Sequence, residues 1–182
     1  MTGAGLTWGS CSPEKPQELD PSAAESALPA RPTRKAAGVL QHYLLLKDAL
    51  VATDSKEAGK AADAMRLTLV SLLQDSTLQS GNSASVPGIR EVADTLLIQL
   101  DSLLLVKDQT CEQQRIFFKP ISEQMYRLLQ IIDMRHIMVY RQLCPMAFNE
   151  QGAYWLSLSI HIENPYFGNK MLTCGELTDT IK

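Results

Sequence analysis

The chain has 182 residues, a mass of 20.1 kDa and a formal net charge of -3. This length predicts one domain with room for a tail. The slight acidic excess argues against a general nucleic-acid-binding protein, which would carry a basic excess. Four Cys residues are too few for a disulfide scaffold in a chain of this length. No apolar run reaches the roughly 18 residues of a membrane-spanning helix.

Residues 1–34 are predicted to be a disordered or extended tether, because they hold five of the nine prolines and show no hydrophobic periodicity. Cys11 follows Gly9 and Ser10 and precedes the Pro-rich part, which resembles the cleavage site of a bacterial lipoprotein. Two interpretations stay open. Cys11 is lipidated if the natural start lies upstream, or it is an incidental residue of a flexible tail.

Residues 35–182 are predicted to form one domain built on four helices. The first begins at Lys35, the second after the capping residue Asp54, and the third at Pro87. The fourth is capped by Asp108 or Thr110 and runs to about Asp133. Pro120 interrupts this helix and is expected to kink it. The residues predicted to face inward are Ile116, Phe117, Ile121, Met125, Leu128, Leu129 and Ile132. The predicted fold class is mainly α, a four-helix up-down bundle with a small C-terminal β/loop cap.

The cap, residues 137–182, has a different pattern. Val139–Leu143 is predicted to be a short strand. Residues 153–163 alternate as a second strand would, with Leu158 and Ile160 on one side and His161 on the other. The polar stretch 79–86 is predicted to be a loop between the second and third helices.

Sulfur is concentrated in this last quarter of the chain. Six of the eleven Cys and Met side chains are Met134, Met138, Cys144, Met146, Met171 and Cys174. Pro145 favours an extended Cys144, and side chains at i and i+2 of an extended chain point to one side. Side chains at i and i+3, as in Met171 and Cys174, converge in a turn.

Thiolates and thioethers together favour Cu(I) among biological metals. The sequence therefore predicts a soft metal site on two loops. Its ligands are Cys144, Met146, Met171 and Cys174, with Met134, His136, Met138 and His161 as second-tier candidates. Spacing leaves two alternatives open: a Cys144–Cys174 disulfide in an oxidising compartment, within a structural or interaction module, or two inert thiols.

A catalytic function is not predicted. The sequence has no evident Ser/His/Asp constellation, Gly-rich phosphate loop, CxxC pair or HExxH motif.

Four C-terminal blocks carry a family resemblance: residues 144–148 (CPMAF), 152–157 (GAYWLS), 162–168 (IENPYFG) and 171–176 (MLTCGE). They resemble a bacterial domain family of unknown function that occurs alone in exported proteins and at the C-terminus of CusB-type copper/silver efflux adaptors. Residues 43–51 with Asp54, and 112–115, are similar to the helical part of that family, so the resemblance spans about 38–181.

The resemblance implies a periplasmic or membrane-anchored lipoprotein of a Gram-negative bacterium that handles copper or another heavy metal. Its partners would be the metal ion and an efflux adaptor or another envelope protein. The Cys-Pro-Met and Met-x-x-Cys-Gly blocks would supply the ligands, which again are Cys144, Met146, Met171 and Cys174.

Overall fold

The structure is a computed structural model and describes residue 1 and residues 30–80, 85–106, 110–132, 134 and 137–181. Within these ranges the fold is mainly helical with a small C-terminal antiparallel sheet, as predicted. The elements are α1 Ala30–Val51, α2 Ser55–Leu73, α3 Ser76–Ser80, α4 Val86–Leu104, α5 Cys111–Ile131, β1 Val139–Cys144, α6 Ala147–Glu150, β2 Ala153–Ser157 and β3 Glu176–Ile181. Over the same ranges, no helix combines the length and apolar character that crossing a bilayer requires.

The helix starts follow the predicted capping chemistry. The Asp54 side chain accepts hydrogen bonds from the backbone N–H groups of Lys56 and Glu57 at 3.1 and 3.0 Å. Thr110 caps α5 by accepting from the N–H of Gln113. Each cap satisfies backbone donors that the first turn of a helix leaves without partners.

Two boundaries differ from the prediction. Helix α1 begins at Ala30 rather than Lys35. Pro32 lies in its first turn, where a proline removes no intrahelical hydrogen bond, so it does not prevent the earlier start. The short helix α3 occupies part of the segment predicted as a loop. It follows Asp75, whose carboxylate accepts from the N–H and hydroxyl of Thr77, and this local capping arrangement competes with an open loop.

The core lies where α1 packs on α2, α2 on α4, and α4 on α5. The predicted face of α5 is partly wrong. Ile116 is 56% exposed, whereas Phe118 is fully buried. The first turns of α5 bury two polar residues, Gln114 and Arg115, after Cys111. A search for apolar periodicity assigns these two residues to solvent. The helix runs unbroken through Pro120.

The sheet has the order β2-β1-β3, so β1 is its central strand. Strand β1 confirms the predicted strand. Strand β2 ends at Ser157, earlier than predicted, because the chain bends around the buried amide of Gln142. This amide donates to the carbonyls of Ser159 and His161 at 3.0 and 3.2 Å. Beyond the bend, Leu158 and Ile160 are more than half exposed rather than aligned on one side of a strand.

Tyr43 joins the helices to the sheet. Its hydroxyl shares a 2.8 Å hydrogen bond with the Ser122 hydroxyl on α5 and accepts the N–H of Leu156, on the outer edge of β2, at 3.0 Å. Its ring stacks on Phe118 with the centroids 5.4 Å apart. Complete burial raises the pKa of Tyr43 well above its usual value, so the hydroxyl stays neutral and able to act as both donor and acceptor.

We expect Tyr43→Phe to lower the free energy of unfolding by about 1–3 kcal/mol, because it leaves a buried N–H without an acceptor. Urea denaturation measures this change. The control is Tyr140→Phe, which removes a hydroxyl bonded to the exposed Met138 and should change stability by less than about 0.5 kcal/mol. Equal losses in the two variants would contradict the role given to Tyr43.

Candidate metal centre

Two of the predicted ligands meet. The Sγ atoms of Cys144 and Cys174, 30 residues apart in the chain, lie 3.5 Å from each other. Cys144 is fully buried at the end of β1, and Cys174 is partly buried just before β3. Both are free thiols. The sequence did not determine whether the two sulfur-bearing loops touch, and the fold brings their thiols into contact.

Cys144 is fixed by the central strand. It pairs with Ala153, and Gln142, two residues before it, pairs with Trp155. Opposite residues share a face of a sheet, as do residues two apart on one strand. The fully buried indole of Trp155 therefore lies on the same face as the Cys144 thiol.

Cys174 is held from the other side by Asn164. The fully buried Asn164 amide donates to the Cys174 carbonyl at 2.7 Å, and its oxygen accepts the N–H of Tyr166 at 2.8 Å. The Asn164 N–H donates to Leu172 at 2.8 Å. Asn164-Pro165 is recognisable in sequence as a turn dipeptide, but its distant hydrogen-bond partners are not.

Gly175 lets this loop close on the sheet. A Cβ atom there would lie 2.8 Å from Trp155 Cη2 and 2.9 Å from the Leu143 carbonyl oxygen. Distances this short exclude a side chain, so the backbone beside Cys174 packs directly on the indole. The Trp155 ring is thus covered by the chain segment that carries the second thiol.

Arg115 anchors the start of the same loop. Its Nε donates to the Pro165 carbonyl at 2.7 Å and its Nη2 to the Leu50 carbonyl at 2.9 Å. Gly168, with φ +55, passes close by: a Cβ atom there would lie 2.5 Å from Thr53 Oγ1. Sequence reasoning missed Arg115 because a charged residue is normally assigned to the surface.

The two predicted thioether ligands are more exposed than the thiols. Met146 is 46% exposed and Met171 is 36% exposed. Met146 lies in a turn with helical dihedral angles, so the expectation that an extended chain aligns it with Cys144 does not apply. Met171 does lie in a turn with Cys174, whose N–H donates to the Met171 carbonyl at 3.1 Å. Their role as ligands stays a prediction.

The second-tier candidates are dispersed. Met134 is buried in the core, whereas Met138 is 49% exposed and its sulfur accepts the Tyr140 hydroxyl. His161 is exposed on the bend after β2. His136 and the lipidation candidate Cys11 lie outside the described residues. Over the described part of the chain, no three His, Cys, Asp or Glu side chains group closely enough to hold a metal ion.

One comparison with known proteins gave a match. The model of the family described as "Protein of unknown function (DUF3347)" matches residues 39–136, just over half of the chain. The matched range covers most of α1 and all of α2 to α5, and it ends before β1. The Cys144 and Cys174 blocks therefore lie outside it. No curated protein and no solved structure matches.

The pKa of the Cys174 thiol is raised above its ordinary value, mainly by burial and to a smaller extent by the hydrogen bond and the charge of Cys144. A thiolate in this position would be poorly hydrated and would repel a second thiolate. In the absence of a metal or an oxidant, Cys174 therefore favours the protonated state. Losing the protons requires a cation that compensates the negative charge.

We expect the pH midpoint for alkylation of Cys174 by iodoacetamide, read by peptide mass spectrometry, to lie above that of an ordinary thiol. In Cys144→Ala the midpoint should fall, because the hydrogen bond and charge of the partner are removed. It should stay above the ordinary value, because burial remains. An unchanged midpoint in Cys144→Ala would show that the two thiols do not interact.

Proposed function

Because the chain belongs to the DUF3347 family, whose function is unknown, we propose its function from the site itself: Cys144 and Cys174 bind a soft metal ion, Cu(I) in the first place. The observation that carries this proposal is the 3.5 Å separation of the two sulfur atoms. Two thiolates supply negative charge and soft donors, a combination that suits Cu(I). The protein would capture the ion in the cell envelope.

The sulfur separation fits a shared ion. Two thiolates bound to one metal at about 2.3 Å each lie about 3.8 Å apart at a tetrahedral angle and about 4.6 Å apart in a line. From 3.5 Å, the first arrangement needs an opening of about 0.3 Å and the second about 1.1 Å. The partly buried Cys174, which precedes an edge strand, has the greater freedom to make this adjustment.

The surroundings support a guarded site with an open side. Trp155 and Tyr166 are buried beside the Cys144 face and give it an apolar wall, which limits access of water and oxidants. Met146 follows Cys144 in sequence, Met171 precedes Cys174, and both methionines are partly exposed. We assign them the role of neutral thioether ligands that receive the ion on the solvent side.

The cellular setting is proposed from the sequence resemblance. The protein would be a periplasmic member of the family or a lipoprotein anchored through Cys11. It would buffer the ion or pass it to a CusB-type efflux adaptor. The four long helices would serve as a rigid up-down bundle on which the sulfur-bearing cap is mounted.

We expect reduced protein, titrated with Cu(I) without oxygen against a chromophoric competing chelator, to retain the ion. The double variant Cys144→Ser/Cys174→Ser should lose this binding. Binding should also weaken at lower pH, because thiol ligands must release protons. The matched control is Cys111→Ala, which removes another buried Cys, on α5, and should bind as the parent does.

The methionines are tested in the same assay. Met146→Leu and Met171→Leu keep the side-chain volume and should weaken Cu(I) binding, whereas Met138→Leu, which replaces a similarly exposed Met, should not. Binding by the double Cys variant as tight as that of the parent would overturn the proposed function. Unchanged binding in both Met variants would remove only the thioether ligands from it.

The same sulfur separation favours a second candidate function, a structural or interaction module closed by a Cys144–Cys174 disulfide. A disulfide needs a sulfur separation of about 2.05 Å, so the two atoms would have to approach by about 1.5 Å. This movement is larger than the one a tetrahedral metal site requires. The two states exclude each other at any instant because both use the same sulfur atoms.

We expect a count of free thiols, made on protein isolated from an oxidising compartment, to distinguish the two candidate functions. Intact mass spectrometry after mild reduction, removal of metal and alkylation counts the free thiols. If metal binding is the function, Cys144 and Cys174 are alkylated after mild reduction and removal of metal. A bridge that survives mild reduction would favour the structural module instead.

A further inference from the structure

A pocket of about 280 Å³ lies beside the cap, lined by residues from α5 and from both sulfur-bearing loops. Glu112 and Arg115 come from α5, Phe148 ends the Cys144 block, and Phe167 and Lys170 precede Met171. Tyr166 completes the wall. The volume of the pocket approaches that of pockets that hold small organic ligands. Neither thiol lines it, so it is distinct from the proposed metal site.

A buried cation with spare donors forms the base of this pocket. Arg115 is only 5% exposed, and its Nε and Nη2 donate to neutral oxygens, the Pro165 and Leu50 carbonyls and the Thr53 hydroxyl. Within the described part of the chain, the partner of Nη1 is Glu112 Oε1 at 3.7 Å. This distance is too long for a hydrogen bond. The buried positive charge is therefore incompletely compensated.

Among the described residues that line the pocket, Glu112 is the one carboxylate, and it is loosely held. Glu112 lies 3.7 Å from Arg115 Nη1 and 3.7 Å from Lys170 Nζ, and its side chain is 62% exposed. A third cation, Lys119, lies 5.1 Å from the centroid of the Phe148 ring. Three positive charges and one negative charge favour an anionic ligand. The position between Arg115 and Lys170 is one that a carboxylate can occupy.

The walls are aromatic. The Phe148 and Tyr166 rings meet edge to face, with centroids 5.6 Å apart at 72°. Phe148 and Asn149 have left-handed dihedral angles, with φ 54 and φ 56. Such conformations are costly for residues with side chains and occur disproportionately at ligand-binding sites. Phe148, which has this left-handed conformation, is also one of the residues that form the pocket wall.

We propose that this pocket binds a small organic carboxylate with a flat apolar body. The carboxylate accepts hydrogen bonds from Arg115 Nη1 and Lys170, displacing Glu112 toward solvent. The apolar body packs against Phe148, Tyr166 and Phe167. This activity goes beyond the proposed metal binding and does not depend on it, since it uses none of the sulfur ligands.

The test is an NMR titration of the metal-free full chain with sodium benzoate at constant ionic strength. The observed signals are the Arg115 side-chain Nε–H and the backbone N–H groups of Ala147 and Phe148. We expect saturable shifts at these positions. Benzamide has the same shape without the charge and should bind about tenfold more weakly or worse, because it lacks the charge-assisted hydrogen bonds.

A charge-matched pair of variants controls for general electrostatics. Lys170→Gln should weaken benzoate binding about threefold, as expected for a partly solvated ion pair. Arg127→Gln removes one positive charge from the exposed surface of α5, where Arg127 is 53% exposed, and should leave binding unchanged. Equal binding of benzamide, shifts that do not saturate, or equal effects of the two variants would overturn the proposal. None of these outcomes would bear on Cu(I) binding.

Discussion

The arrangement of the cap depends on one buried cation. Through its hydrogen bonds to the Pro165 and Leu50 carbonyls, Arg115 ties the Cys174 loop to α5 and to the end of α1. A guanidinium with several donors in a fixed plane is suited to holding separate carbonyl groups. Burying the charge among neutral oxygens is costly. Removing Arg115 would take a donor from each of these carbonyls, although the Leu50 carbonyl would still accept the backbone N–H of Thr53. The position of the loop therefore depends on this side chain.

The same principle recurs through the interface between helices and cap. Tyr43, Asn164 and Gln142 are buried polar residues, and each one bonds to main-chain groups of irregular or edge segments. Such segments cannot satisfy their own N–H and C=O groups in a ladder. The cap is therefore specified by polar side chains with distant partners, in addition to apolar packing. The thiol pair is placed by this network.

The sequence was informative where structure is local. The sequence predicts Asp54 as a cap and Thr110 as one of two candidate caps, because a capping side chain and the backbone N–H groups that donate to it are within three residues of each other. The face of α5 was misplaced at Ile116, because burial of Arg115 is decided by partners 50 or more residues away. The meeting of Cys144 and Cys174 is likewise tertiary, so spacing could give candidate ligands and not their contact. The family match confirms a domain of unknown function over residues 39–136 and does not reach these thiols.

The order of the sheet makes the two thiols unequal. Cys144 belongs to the central strand, which is paired on both sides, whereas Cys174 precedes the edge strand β3, whose residues are largely exposed. Movement of β3 and its preceding loop would therefore separate the sulfurs widely while the helices and the other two strands stay in place. Local opening of this kind costs less than global unfolding. For the proposed metal function, such an opening would provide a route for release, in which Cys174 moves away with β3 while Cys144 keeps its position in the central strand.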